Sequence, residues 1–111
     1  MFARVTTYEL TQGRASESIA VFEPAVGRVS ELDGFVDGWF LVERDGLHAV
    51  TMTLWESLDA MERSRVTAAN ARTEAARDVG AEVTSTYELE VGIHIGAASD
   101  RAAIIGETSS T

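Results

Sequence analysis

The chain has 111 residues, a formal net charge of −9 and no cysteine. That length allows one domain with one modest core, and the lack of thiols excludes disulfides, thiolate zinc sites, iron–sulfur clusters and cysteine nucleophiles. Lysine is absent too, which removes Schiff-base and pyridoxal phosphate chemistry; the acidic balance opposes nucleic-acid phosphates as partners.

No window approaches the length of a membrane span, and the start of the chain has neither the charged n-region nor the apolar h-region of a signal peptide. The expectation is a cytoplasmic protein with no membrane partner. Phe2 to Leu10, rich in Val, Thr, Tyr and Phe, predicts a first strand. A helix follows, capped by Ser16 or Ser18, with Ile19, Phe22, Val26, Val29 and Leu32 at helical spacing. Pro24 inside it predicts a kink near Ala20 or two short helices. Asp33-Gly34 ends that segment.

Phe35 to Glu43 reads as a second strand, joined through the Asp-Gly turn of Arg44-Asp45-Gly46 to a third from about Leu47 to Trp55. That strand runs directly into a second helix: Ser57 offers an N-cap, Asp59 and Glu62 have capping-box spacing, and the helix extends from Leu58 to Val79 with Gly80 as its stop. The last strand alternates most clearly. Val83, Ser85, Tyr87, Leu89, Val91, Ile93 and Ile95 share one face.

These elements predict an α+β, ferredoxin-like β-α-β-β-α-β fold, an antiparallel sheet with two helices on one face. The domain occupies 1–96 and a polar tail occupies 97–111. Trp39, Phe40, Leu41 and Val42 are apolar on both faces of the second strand, and the fourth strand outruns the usual strand length of about 5–6 residues. Two copies packed sheet against sheet satisfy both features, which predicts a homodimer.

Several residues are candidates for chemistry. Glu88, Glu90 and His94 share a strand face, a donor set that suits a divalent ion; alternate strand residues lie about 6.8 Å apart, so a solvated strand face explains them better and no metal site is assigned. Leu58, Met61, Ala68, Ala69, Ala75, Ala76 and Val79 form the inward stripe of the second helix, with Arg65 and Arg72 near its middle. A buried guanidinium needs a partner. Each Arg snorkels out to water, pairs with an acid at the helix–sheet boundary, or faces a polar cavity and recognises an anion such as a phenolate or carboxylate. Trp55 at the strand–helix junction, Trp39 and Tyr8 are candidates for the aromatic lining of that pocket, with core packing as the alternative for each.

The opening strand Ala3-Arg4-Val5-Thr6-Thr7-Tyr8, with Leu32-Asp33-Gly34-Phe35, Leu54-Trp55-Glu56-Ser57 and the strand Val83 to Val91, resembles the antibiotic biosynthesis monooxygenase-like family of small dimeric α/β barrels. The resemblance covers Phe2 to about Ile95, and it marks topology more than catalysis. It implies a cofactor-independent monooxygenase acting on an aromatic or quinone-like small molecule, with no metal, flavin or haem; the alternative is a non-catalytic dimeric module that binds a small ligand. The family's haem-degrading branch combines a pocket Trp, an axial His on the second helix and an Asn on the first strand. Trp55 matches the first, but that helix has no His and the first strand has Thr6 and Thr7, so haem degradation is disfavoured.

Overall fold

Alternation on the first strand sets the architecture. In the computed structural model, which describes residues 1–44 and 46–98, β1 (Phe2–Glu9) sits between two antiparallel partners. β2 (Phe35–Val42), β3 (His48–Trp55) and β4 (Glu82–Glu90) complete a four-stranded sheet in the order β2-β3-β1-β4. The helices are α1 (Ala15–Ser30), α2 (Leu58–Arg63) and α3 (Arg65–Val79). This is the expected ferredoxin-like α+β fold, with the second helix divided in two.

Register assigns the two faces. The row Phe40–Thr51–Thr6–Thr86 lies across the strands on the helix side, and the row Trp39–Met52–Val5–Tyr87 lies on the other. The core fills the helix side: Phe22 stacks on Phe40 at 4.3 Å and meets the edge of Tyr8 at 5.1 Å. Small alanines of α3 (Ala68, Ala71, Ala75 and Ala76) are buried there, and they let the helix approach closely. On the opposite face no helix covers Trp39, Leu41, Tyr87 or Leu89, and all four are exposed.

Several expected boundaries move. Neither Ser16 nor Ser18 caps α1; the N-cap is Arg14, without a side-chain bond. The buried stripe is Ser18, Phe22, Ala25 and Val29, which turns Ser18 inward, where its Oγ donates to the Ala15 carbonyl at 2.6 Å, and leaves Ile19 outside. α1 is one helix and is not divided at Pro24. That proline lies on the exposed side, where water can satisfy the freed carbonyl.

The long second helix is interrupted at Ser64. Ser57 caps it, its Oγ accepting from the Ala60 amide at 3.1 Å, so Asp59 lies in the first turn and pairs with Arg63 rather than forming a capping box. The observed inward stripe passes through Ala60, Met61, Ser64, Ala68, Ala71, Ala75, Ala76 and Val79; Leu58 and Arg65 point outward. Gly80 closes α3 with φ 67°, a left-handed cap that glycine adopts without strain.

β4 ends at Glu90, short of the predicted Ile95. The reason lies in its partner: Phe2, the first residue of β1, pairs with Glu90, and the final bond runs from the Val91 amide to the Met1 carbonyl at 2.9 Å. Beyond it Gly92–Ile95 continue without a strand beside them. Asp45 of the expected turn and most of the predicted tail, 99–111, lie outside the described residues.

Candidate functional site

Between the sheet and the two long helices lies a slot. Its floor is Arg4 and Thr6 of β1 with Thr51 and Thr53 of β3; Phe22, Ala25, Val26 and Val29 of α1 form one wall, and Ala68, Ala71 and Arg72 of α3 the other. Its cavity volume is about 30 Å3. The slot is therefore narrow, apolar on its sides and hydroxyl-lined below.

Arg4 is 3% exposed, a burial that a guanidinium tolerates only when its donors are met. Nη1 donates to Ser64 Oγ at 3.0 Å and Nη2 to the Met61 carbonyl at 2.8 Å. Nε and Nη2 donate to Glu88 Oε2 at 3.1 and 2.8 Å. The guanidinium also lies 5.9 Å from the centre of the Trp55 ring, within cation–π range. Ser64 Oγ in turn donates to the Met61 carbonyl at 2.7 Å. A serine that bonds its own helix backbone competes with the helix, and here the break between α2 and α3 coincides with that bond and with Arg4.

Glu88 is shared. Arg65 grips it from the solvent side, Nη2 to Oε1 at 2.6 Å and Nε to Oε2 at 3.2 Å. The Arg65 hydrogen bonds chiefly hold the Glu88 carboxyl below the usual carboxylate range; burial opposes them, and the Arg4 hydrogen bonds and the two positive charges add to the lowering.

Arg72 is in a different condition. It is half-buried on α3 beside the slot, and among the described residues it has no hydrogen-bond or ion-pair partner. Burial pulls its pKa below the ordinary arginine value, and the charge of Arg4 pulls the same way, opposed by Tyr8 and Glu88. Arg4 and Arg65 already share the one carboxylate, so positive charge is in excess at the slot in a chain of net charge −9.

Tyr8 is buried behind the floor, its hydroxyl 2.9 Å from Thr51 Oγ1. Burial pushes the phenol up to about 12, so at neutral pH it is a protonated group whose hydroxyl adjoins the slot beside Thr51 and Thr6. Trp55 is fully buried; its Nε1 donates to Thr53 Oγ1 at 2.9 Å and its ring meets Phe35 edge-on at 5.5 Å. It therefore backs Arg4 and Thr53 instead of walling the slot.

Of the residues singled out in the sequence, the structure brings Arg72 to the slot and puts Tyr8 and Trp55 directly behind it. Arg65 is turned outward onto Glu88, and Trp39 sits on the opposite face of the sheet. The floor residues Arg4, Thr6, Thr51 and Thr53 were not identified as a set from the sequence. Their signal was present: polar residues at period two on the same faces as Tyr8 and Trp55, where a simple core strand carries apolar ones.

Neither histidine is at the slot. His48 opens β3, exposed and 3.0 Å from Glu43, and His94 lies past the end of β4. With no imidazole on α3 and only a narrow opening, these residues do not fit a haem held through an axial histidine. Among the described residues no group of three or more His, Asp or Glu is arranged to hold a metal ion, and no helix is long and apolar enough to cross a membrane.

The chain is an α+β sheet with a slot under its helices, and comparison with known structures places the fold more narrowly. A candidate antibiotic biosynthesis monooxygenase from Deinococcus radiodurans superposes with a TM-score of 0.69 at 15% identity, over 86% of this chain and 97% of that one. SnoaB, a cofactor-independent oxygenase from Streptomyces nogalater, gives 0.68 at 21% identity over 85% and 95%. The heme-degrader MhuD of Mycobacterium tuberculosis gives 0.63 at 24% identity over 86% and 100%. The chain thus has the fold of the antibiotic biosynthesis monooxygenase-like proteins.

No family model matches the sequence. Among curated proteins, the uncharacterised Mycobacterium tuberculosis proteins Rv2558 and Rv2557 are 29% and 28% identical over 92 and 91 residues, 81% of this chain in each case. The chain spans 39% and 41% of their respective lengths.

Proposed function

We propose that this protein is a cofactor-independent monooxygenase that oxidises an aromatic or quinone-like small molecule, working as a sheet-to-sheet homodimer in the cytoplasm. The observation that carries the reading is the unpaired, half-buried Arg72 guanidinium beside an apolar slot. The aliphatic walls of α1 and α3 part to admit a flat ring, and a deprotonated phenol or enol oxygen supplies the partner that Arg72 lacks. The ionised substrate is then the reductant: an anthrone-type CH2 takes one oxygen atom from O2 to become a carbonyl, and the other oxygen leaves with the two hydrogens as water. The threonine hydroxyls of the floor donate to the developing anion, with Tyr8 behind Thr51 as a further neutral donor. Two sheets meeting through Trp39, Leu41, Tyr87 and Leu89 would cover the exposed apolar face.

One observation favours a second reading, a non-catalytic dimeric module that binds the same kind of ligand. The slot is lined by arginine, threonine and apolar side chains, with no carboxylate or imidazole to serve as a general base. Oxygen uptake with a panel of anthrone-like phenols separates the two. Uptake of one O2 per substrate, abolished in Arg72→Gln, supports the monooxygenase. Saturable binding without uptake supports the binding module, and neither uptake nor binding overturns both.

A further inference from the structure

Arg4 uses four of its five N–H groups inside the molecule: Nε on Glu88, Nη1 on Ser64, and Nη2 on both Glu88 and the Met61 carbonyl. Glu88 is equally committed. Its Oε2 accepts from Nε and Nη2 of Arg4 and from Nε of Arg65, and its Oε1 accepts from Nη2 of Arg65. Among the described residues, Glu88 is the one acid bonded to an arginine of the slot. The charge of Arg4 is thus cancelled at contact distance, and that of Arg72 is not.

The backbone puts Glu88 where it can do this. It is the register partner of Arg4 across the β1–β4 ladder, so the carboxylate meets the guanidinium from the neighbouring strand without entering the slot, whose lining it does not join. Its carboxyl is held below the usual range, chiefly by the Arg65 hydrogen bonds, which keeps it ionised at neutral pH. We propose that Glu88 is a specificity residue: by cancelling the charge of Arg4, it restricts the slot to a ligand with a single negative charge. This inference rests on Arg72 as the partner of a phenol or enol anion, the reading given above, and adds which anions that partner accepts.

A second anionic group, such as a ring carboxylate, finds no free guanidinium once Arg72 is taken. Brought out of water between apolar walls without a partner, it is strongly disfavoured, and Glu88 repels it across a poorly screened interior. Arg65 is no substitute, because its side chain is 56% exposed and both of its contacts go to Glu88 from the solvent side. Glu88→Gln reverses the position. Arg4 then becomes a buried charge without a counter-ion on the slot floor, and a second anion on the ligand supplies one. A single substitution on the edge strand β4 should therefore alter the charge that the slot prefers and leave its shape unchanged.

Two probes of nearly one shape separate charge from size: 4-hydroxy-3-nitrobenzoate and 4-hydroxy-3-nitrobenzamide. In mildly alkaline buffer both phenols are ionised, so the benzoate carries two negative charges and the benzamide one. Dissociation constants are measured by absorbance titration for the wild-type full chain, Glu88→Gln, Arg65→Gln and Arg72→Gln, with circular dichroism as the check on folding. Wild type should bind the benzamide about tenfold more tightly or better, the ratio of one charge-assisted hydrogen bond. Glu88→Gln should bring the two probes within about twofold or reverse their order. Arg65→Gln leaves the Arg4–Glu88 bonds in place and should keep the wild-type order; together with wild type it decides the matter if Glu88→Gln does not fold. Equal binding of the two probes by wild type, a preference that survives in folded Glu88→Gln, or one lost in Arg65→Gln overturns the role of Glu88 and spares the slot as an anion site. No saturable binding of either probe to wild type, or benzamide binding unchanged in Arg72→Gln, overturns the reading of Arg72 and this inference with it.

Discussion

Arg4 and Arg72 border the same slot from its floor and its helical wall, yet only Arg4 has an acid to bond. One guanidinium is structural and the other is uncommitted. Their substitutions should separate along that line.

Arg4→Met removes the donor that joins Glu88, Ser64 and the Met61 carbonyl. It should cost roughly 2–4 kcal/mol, since it breaks a buried charged network and leaves polar partners unmet. Arg72→Gln should cost under about 1 kcal/mol, because no protein hydrogen bond is lost. Urea unfolding of the two variants checks the contrast, and equal losses would show that Arg72 is structural.

Trp55→Ala should behave as a core substitution, with a loss of about 3–5 kcal/mol from the cavity it leaves. Trp55→Phe should retain the contact with Phe35 and lose only the hydrogen bond to Thr53, a cost of about 1 kcal/mol plus the small void. Calorimetry on both variants is the measurement. A Trp55→Ala protein of undiminished stability would mean that the indole is not part of the core.

The acid limb of stability should depend on Glu88. Its folded-state pKa is lowered by Arg65 and Arg4, so the folded state holds a proton on this group less tightly than the unfolded chain does. The resulting stabilisation is complete above the ordinary glutamate value of 4.5 and is lost as pH falls through the lowered folded value. Glu88→Gln should therefore be less stable than wild type at pH 6, with the gap narrowing on acidification below about pH 4.5. Denaturation midpoints between pH 6 and pH 3 would show it, and a constant gap would remove Glu88 from the acid response.

The alkaline limb should depend on Tyr8. Its phenol is raised from 10.0 to about 12, so this contribution is fully present below pH 10 and is lost as pH rises toward 12. Tyr8→Phe should remove that part of the alkaline loss and cost about 0.5–1.5 kcal/mol at neutral pH through the broken bond to Thr51. Stability measured at pH 8, 10 and 11 distinguishes this from a phenol that ionises freely in the folded state.

The elements legible in the sequence were those whose pattern is local. Alternation through β4, the Ser57 cap and the Gly80 stop all act within a few residues. The interruption at Ser64 was not legible, because Ser is tolerated within helices and the Arg4 contact that accompanies the break comes from 60 positions away. The Arg4–Glu88 pair spans 84 positions, and no periodicity encodes it. The end of β4 was misread for a related reason: its own alternation continues, and only the start of β1 limits the pairing. Arg72 was recognisable as a charge on a small-residue helix, whereas Arg65, at the first position of α3, reaches out to Glu88.

That break also bears on how the molecule opens. A six-residue helix is too short to persist by itself, so α2 depends on its attachments, the Ser57 cap at one end and the Arg4 bonds at the other. Its amides should exchange with solvent as a small cooperative unit, ahead of α3 and the central strands. Because Arg4 lies under both α2 and the slot, a molecule seated there would slow that exchange without touching α2 itself.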